Sequence, residues 1–247
     1  MVLRTLILGA TSAIAAEVAA LCAVRGDRLY VVGRDPDKLR ALVERLGEAV
    51  VGHESCDLND CAQADARVAR AIERLGGLDR ALIAHGLLGD QQHSEHDLAH
   101  AREIIDTNFV SAVALLLPLA NWFEQQGHGH LAAITSVAGE RGRPRNYTYG
   151  AAKSALTCYL EGLRSRLWRT GVRVHDLKLG PVDTPMTVGH PQNFLWGEKR
   201  RVARGIVRAM ERRWLVSYLP RSWRLVMAIV RVLPEFVFQR LPFLAGR

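Results

Sequence analysis

The sequence predicts one α/β domain: a doubly wound parallel sheet with helices on both faces and a basic amphipathic C-terminal extension. Three observations predict it. Short runs rich in branched apolar residues alternate with longer runs of helical periodicity between Val2 and Leu179, as a parallel sheet with crossover helices requires. The first run ends in a turn, Gly9-Ala10-Thr11-Ser12-Ala13-Ile14-Ala15, that opens directly into a helical pattern. Charge is divided unevenly: residues 1–193 carry 21 Lys+Arg against 22 Asp+Glu, a net −1, and residues 194–247 carry 12 against 3, a net +9, giving the formal +8 of the whole chain.

The elements follow in order. Val2 to Leu8 reads as the first strand, and the helix after the turn runs through Val24. Leu29 to Gly33 is a second strand, and Pro36 suits the first turn of a helix reaching Leu46. Val50 to Ser55 is a third, weaker strand ending near Asp57, with a helix over Cys61 to Leu75. Leu78 to Ala84 is a fourth strand. Asp97 to Gln126 is a long helical stretch in which Pro118 marks a kink or a break. His130 to Thr135 is a fifth strand closing on Ser136, Tyr147 to Thr170 a long helix, and Val172 to Leu179 a sixth strand ending at Gly180-Pro181. No repeat or low-complexity linker interrupts the pattern, and 49% apolar and 23% charged residues in 247 suit one globular domain. Cys22, Cys56, Cys61 and Cys158 show no metal-type spacing and read as reduced thiols of a cytoplasmic protein. Met1 to Leu8 runs straight into the glycine turn, so no signal peptide is expected.

In such a sheet, ligands bind beyond the carboxyl ends of the strands. Gly9 to Ala15, Gly33-Arg34, Asp57-Leu58, His85-Gly86, Ser136 and Gly180 to Thr184 all fall at that edge. The turn from Gly9 through Thr11, Ser12, Ala13 and Ile14 presents backbone N–H groups and a helix N-terminus suited to a pyrophosphate. Arg34, just past the second strand, suits a ribose 2′-phosphate and favours NADP(H); the other reading is a solvated loop cation beside Asp35. Tyr149 and Lys153 stand one helical turn apart, so an ammonium can approach a phenol and favour its ionised form. Tyr147 has Ala151 in the corresponding place. Ser136 precedes Tyr149 by thirteen residues and can turn its hydroxyl toward a carbonyl held there. Asn108 is polar on an apolar stretch, as a site residue or as a buried amide at a helix kink.

The set Gly9-x-x-x-Ala13-x-Ala15, Asn108, Ser136, Tyr149-x-x-x-Lys153 and Gly180-Pro181-x-x-Thr184 resembles the short-chain dehydrogenase/reductase family from residue 2 to about residue 187. The resemblance implies a Rossmann fold and a homodimer or homotetramer. It implies Tyr149 as general acid/base, Lys153 as the residue that binds the nicotinamide ribose and lowers the Tyr149 pKa, Ser136 as the group that polarises the carbonyl, and Asn108 as support for a proton-relay water. Pro181, Val182 and Thr184 would hold the nicotinamide. Residues 1–193 then form an NADP-binding catalytic unit, and residues 194–247 a substrate lid or membrane-associating extension of the same domain. The chain departs from the family pattern at Ala13 and Ala15, where glycines are usual, and at Ala84-His85-Gly86, where Asn-Ala-Gly is usual. Within the family, Leu8 to Ser12, Ala84-His85-Gly86, Ile134 to Gly139 and the basic-aromatic tail resemble reductases of polyprenyl-phosphate-linked keto-pentoses, enzymes of cell-envelope glycan synthesis. A reductase of another lipid or small carbonyl compound, of keto-acyl type, and a non-catalytic NADP-binding regulatory protein are the alternatives.

Three further groups stand out. His93, His96 and His100 share a helical spacing, as metal ligands or as a solvated helix start; the chemistry above needs no metal. Arg141, Arg143 and Arg145 lie between Ser136 and Tyr149, to contact a substrate phosphate or to keep a loop soluble. In the tail, Trp214, Trp223, Phe236, Phe238 and Phe243 alternate with Arg212, Arg213, Arg221, Arg224, Arg231 and Arg240. That pattern suits the anionic inner face of a cytoplasmic membrane, or a packed extension over the substrate cleft or a subunit contact. The apolar run Leu225 to Val230 is too short to span a bilayer, and no nucleic-acid motif accompanies the charge.

Overall fold

The computed structural model describes residues 2–185, 195–212 and 214–241. Its strands are β1 (Arg4–Leu8), β2 (Arg28–Gly33), β3 (Val50–Ser55), β4 (Arg80–Ile83), β5 (Gly129–Ser136), β6 (Val172–Leu179) and β7 (Val216–Leu219). The helices are α1 (Ala13–Val24), α2 (Pro36–Leu46), α3 (Ala64–Leu75), α4 (Gln91–Ser94), α5 (Leu98–Ile105), α6 (Ser111–Gln126), α7 (Tyr147–Arg166), α8 (Lys199–Glu211), α9 (Trp223–Val232) and α10 (Glu235–Phe238). One parallel sheet runs in the order β3-β2-β1-β4-β5-β6-β7. The order reverses between β1 and β4, which opens a crevice above their carboxyl ends.

Successive strand residues face opposite layers. Leu6 and Leu8 join the core under α3, α6 and α7, whereas Ile7 joins the core under α1, α2 and α8. Both faces are buried, which explains the nearly continuous apolar runs of β1 and β4. Pro36 opens α2 and Asp35 caps it, accepting from the N–H groups of Asp37 and Lys38 at 3.1 Å each. His175 on β6 is fully buried; its Nδ1 lies 2.8 Å from the Trp214 carbonyl and its Nε2 2.9 Å from His130 Nδ1. The carbonyl accepts from Nδ1–H, so Nε2 is left as an acceptor, and burial pushes the ring's pKa down to about 4.

The six strands read from the sequence are present, and the structure adds a seventh. The helix α8 crosses over to β7, which pairs with β6, so part of the basic C-terminal segment completes the sheet. The stretch 97–126 breaks at a π turn over Asp106–Val110, while Pro118 sits inside α6. The expected histidine face is also divided: Asp97 caps a new helix, so His93 lies on α4 and His100 on α5. His100 Nε2 accepts from the Asp90 N–H at 3.0 Å, and the described residues hold no group of three or more His, Cys, Asp or Glu that could bind a metal.

A third apolar cluster joins Val137, just after β5, to Trp223, Met227, Val230 and Phe238. Trp223 lies directly on Gly180, where a Cβ would come 2.2 Å from the indole Nε1, and that nitrogen donates to the Leu195 carbonyl at 3.0 Å. The last two helices therefore pack over the carboxyl edge of β5 and β6. Arg213, Phe243 and the 193/194 boundary of the sequence reading lie outside the described residues.

Candidate active site

The turn after β1 is folded onto its neighbours. Gly9 has φ +84°, and its N–H and that of Ala10 both donate to the Val32 carbonyl, at 2.9 and 2.8 Å. A Cβ on Gly9 would meet the His85 nitrogen at 2.5 Å, and one on Gly33 would meet Thr11 Cγ2 at 2.5 Å. Both glycines are thus needed for close approach. Ser12 caps α1 by accepting from the Ala15 N–H at 3.3 Å. The N–H groups of Ala13 and Ile14, in the first turn, have no preceding acceptor within the helix. Ala15 is fully buried in the sheet-side core, so its methyl packs inward, away from the turn's outer surface. A pyrophosphate fits this turn despite the missing glycines.

Arg34 is exposed beyond β2. Asp35 does not neutralise it, because Asp35 caps α2 and pairs with Lys38 at 3.2 Å. Asp57 is exposed, its carboxylate accepting from the Asn59 N–H at 3.0 Å, whereas the Leu58 side chain belongs to the core. Past β6, Pro181 accepts from the Gly197 N–H at 2.9 Å, the Asp183 N–H donates to the Gly197 carbonyl at 3.1 Å, and Val182 is buried. This pairing holds the Gly180–Thr184 segment against residue 197, at the end of β6.

Between these sides stand the chemical groups. Asn108 is almost wholly buried in the π turn, and its side chain is engaged throughout. Its Nδ2 donates to the carbonyls of Leu87 (2.6 Å) and Ile104 (2.8 Å), and its Oδ1 accepts from the Leu87 N–H (3.2 Å). It ties the segment after β4 to the helix break, as a buried amide at a kink should. A Cβ on Gly86 would come 2.8 Å from Asn108 Oδ1 and 3.4 Å from Lys153 Nζ. His85 Nε2 lies 2.8 Å from Ser111 Oγ, which donates to the Thr107 carbonyl at 2.9 Å. The network therefore places the proton on Nε2 and leaves Nδ1 a buried acceptor with no hydrogen-bond partner among the described residues. Burial, with the Lys153 charge, pushes the His85 pKa down to about 3, so the ring is neutral.

Tyr149 and Lys153 lie on the first turns of α7, with Lys153 Nζ 5.7 Å from the phenol ring centre. Lys153 is buried and donates to the Ile134 carbonyl at 3.0 Å. Burial lowers its pKa to about 8, opposed by the negative charge of Asp176. For Tyr149, desolvation dominates: its pKa is pushed up to about 12, opposed by the neighbouring Ser136 hydroxyl, which favours the phenolate and itself donates to the Leu179 carbonyl at 3.3 Å. The depression expected from a neighbouring ammonium is not the dominant effect in this state. Ser136 Oγ also accepts from the Ala138 N–H at 3.1 Å, which fixes the hydroxyl at the start of the turn. Tyr147, the rival tyrosine, is exposed.

The three loop arginines separate. Arg141 donates to the carbonyls of Val230 (3.1 Å) and Leu233 (2.6 Å), pairs with Glu235 (2.6 Å) and stacks 4.3 Å above the Phe238 ring. It is a clamp on α9 and α10. Arg143 reaches Met227 Sδ at 3.6 Å, and Arg145 is exposed. Sequence reasoning missed a buried polar cluster behind the site. Lys178 bonds Glu140 at 2.6 Å and lies 3.6 Å from Asp176; Tyr218 donates to Glu140 at 2.6 Å, and Thr135 to Asp176. The signal was available: with Arg173, the residues His175, Asp176 and Lys178 make half of an eight-residue interior strand ionisable.

The model of the short chain dehydrogenase family matches residues 4–193. An uncharacterised oxidoreductase of Mycobacterium tuberculosis is 35% identical over 239 residues, covering 96% of each chain. One from Streptomyces coelicolor is 33% identical over 243 residues, covering 96% of this chain and 94% of its own. Among solved structures, levodione reductase shares the fold with a TM-score of 0.78 at 23% identity, over 87% of this chain and 94% of its own. Members of this family use NAD(P)(H) and bind small-molecule substrates. The turn after β1, the Ser136, Tyr149 and Lys153 arrangement and these relatives lead to one conclusion: the chain is an oxidoreductase that belongs to the short-chain dehydrogenase family.

Proposed function

We propose that this chain is an NADPH-dependent ketoreductase that reduces the keto group of a lipid-phosphate-linked pentose in cell-envelope glycan synthesis. The observation that carries the ketoreductase reading is the Tyr149–Lys153 pair, with Lys153 Nζ 5.7 Å from the phenol ring, at the sheet edge that also holds Ser136 and the pyrophosphate-type turn. When bound, the nicotinamide supplies a hydride to the carbonyl carbon. Ser136 and Tyr149 hold the carbonyl oxygen by hydrogen bonds. Tyr149, with its pKa near 12, is protonated at neutral pH and so stands as the acid for the developing alkoxide. Lys153 holds the ribose and stabilises the phenolate left behind. The Asn108 side chain is occupied by Leu87 and Ile104, so its support for a relay water runs through the backbone of the π turn.

Arg34, with no carboxylate partner among the described residues, supports NADP over NAD. The lipid part of the reading rests on the C-terminal helices. Leu225, Ile229 and Val232 are exposed in a stripe at helical spacing on α9, with Phe236 exposed on α10 beyond Pro234, flanked by exposed Arg221, Arg224, Arg231 and Arg240. An apolar stripe bordered by arginines suits a peripheral contact with an anionic inner membrane face, where a lipid-linked substrate resides. A homodimer or homotetramer is the assembly expected from the family resemblance.

The test is NADPH oxidation with a polyprenyl-phosphate keto-pentose beside simple ketones. The lipid-linked sugar is expected to give the highest kcat/KM, and Tyr149→Phe to lower kcat by roughly 10²–10⁴-fold. Full turnover by Tyr149→Phe refutes the acid assignment; equal turnover of simple ketones refutes the substrate class.

A further inference from the structure

We propose that Arg143 binds a phosphate group of the substrate, in a site between the loop after Ser136 and the inner face of α9. The proposal deepens the ketoreductase reading and depends on it only in calling the bound molecule a substrate.

The argument begins with what Arg143 lacks. Its side chain is partly buried, its Nε is inaccessible and without a partner, and its only contact among the described residues is the weak one from Nη2 to Met227 Sδ. A guanidinium removed from water with no anion is unfavourable unless something supplies one. The loop's acidic neighbours make no ion pair with Arg143: Glu140 Oε2 is buried without a hydrogen bond among the described residues, and its Oε1 is in use. Glu140 is held by Lys178 and Tyr218, and Glu235 by Arg141. Burial and the nearby Arg145 both lower the Arg143 pKa, which shows the same uncompensated charge from another side.

Position supplies the second half. Met227 packs in one cluster with Val137, the residue after Ser136. Arg143 is therefore fixed beside the turn that holds the carbonyl-orienting hydroxyl, and six residues before Tyr149. Arg141 clamps the far end of α9 to the same loop, so the spacing between loop and helix is set by bonds independent of Arg143. A planar guanidinium matches two phosphate oxygens at once. The lipid-linked substrate proposed above carries a phosphate ester of this kind.

The experiment is calorimetric titration of the full-length protein, with NADP saturating so that the pyrophosphate turn is filled. The probes are farnesyl phosphate, farnesol and inorganic phosphate. Wild type is expected to bind farnesyl phosphate more tightly than either of the others. Arg143→Gln is expected to weaken farnesyl phosphate binding about tenfold or more, the loss of a charge-assisted pair, with farnesol affinity unchanged. Arg143→Met keeps a stem that packs on Met227 and should show the same loss if the glutamine variant does not fold. Arg169→Gln, an exposed change past the far end of α7, controls for net charge and should bind as wild type does. The proposal is overturned if either folded Arg143 variant keeps wild-type affinity for farnesyl phosphate, or if wild type binds farnesol equally well. Inorganic phosphate binding as tightly as the ester, with the same dependence on Arg143, overturns the assignment to a substrate ester in favour of a free-anion site. Because binding is read without turnover, the result is independent of the Tyr149→Phe outcome.

Discussion

Gly86 is the position where the site's geometry can be challenged with one methyl group. In Gly86→Ala the new Cβ would stand 2.8 Å from Asn108 Oδ1. Asn108 must then swing away, which breaks its bonds to the Leu87 N–H and to the carbonyls of Leu87 and Ile104. Hydrogen bonds of this kind contribute about 1 kcal/mol each and overpacking costs roughly 1–3 kcal/mol. Partial relief of one by the other puts the substitution at about 2–4 kcal/mol. In an Asn108→Ala background the same bonds are already absent and the obstructing oxygen is gone, so adding Gly86→Ala should cost less than about 1 kcal/mol. Urea unfolding of the four proteins, followed by circular dichroism, gives the coupling energy directly. A coupling of at least about 1.5 kcal/mol is expected, with kcat reduced in Gly86→Ala because Lys153 Nζ stands 3.4 Å from the same Cβ position. Costs that add to within about 0.5 kcal/mol would refute the reasoning, since they would show that Gly86 and Asn108 do not share the space.

Arg34→Ala should raise KM for NADPH by tenfold or more, about the value of one charge-assisted contact, and leave KM for NADH unchanged; equal changes for both cofactors would remove the 2′-phosphate assignment. His175 makes stability depend on pH. Its folded pKa, about 4, lies below the ordinary 6.5, so the unfolded chain binds more protons between those values and stability falls as pH drops through that window. At pH 5 the loss is on the order of 2 kcal/mol, with neutral His85 adding in the same direction. His175→Asn, which retains a donor for the Trp214 carbonyl, should flatten the slope of urea-derived stability between pH 5 and 7; an unchanged slope would place the linkage elsewhere. Leu225→Ser with Ile229→Ser should reduce sedimentation with anionic liposomes at low salt, and wild-type protein that never sediments with them would make the exposed stripe a protein contact instead.

The sheet was legible because the strands from β1 to β6 carry branched apolar residues and end close to turn residues. β7 was not. It is four residues, Val-Ser-Tyr-Leu, between tryptophan and arginine residues, and only pairing with β6 makes it a strand. The π turn was hidden for a similar reason: Pro118 was the visible helix breaker, whereas the break depends on Asn108 reaching Leu87, twenty-one residues away. Spacing alone placed Tyr149 with Lys153 and brought Ser136 to the same edge. It did not convey burial, which is the largest influence on both the Tyr149 and the Lys153 pKa. Nor could it divide Arg141 from Arg143. They look alike in the sequence, and one is bound to two carbonyls and a carboxylate while the other has only a sulfur.

The Arg141 clamp has a mechanical consequence. One side chain fastens the loop between Ser136 and Tyr149 to the carbonyl end of α9 and to α10. Helix and loop thus form a single lever, so that a load on the exposed stripe bears on the loop between Ser136 and Tyr149. By thermodynamic reciprocity, whatever tightens the grip on α9 steadies the loop, and a ligand that steadies the loop tightens the grip on α9. Cutting the lever at Arg141 would leave both surfaces in place and remove the communication between them.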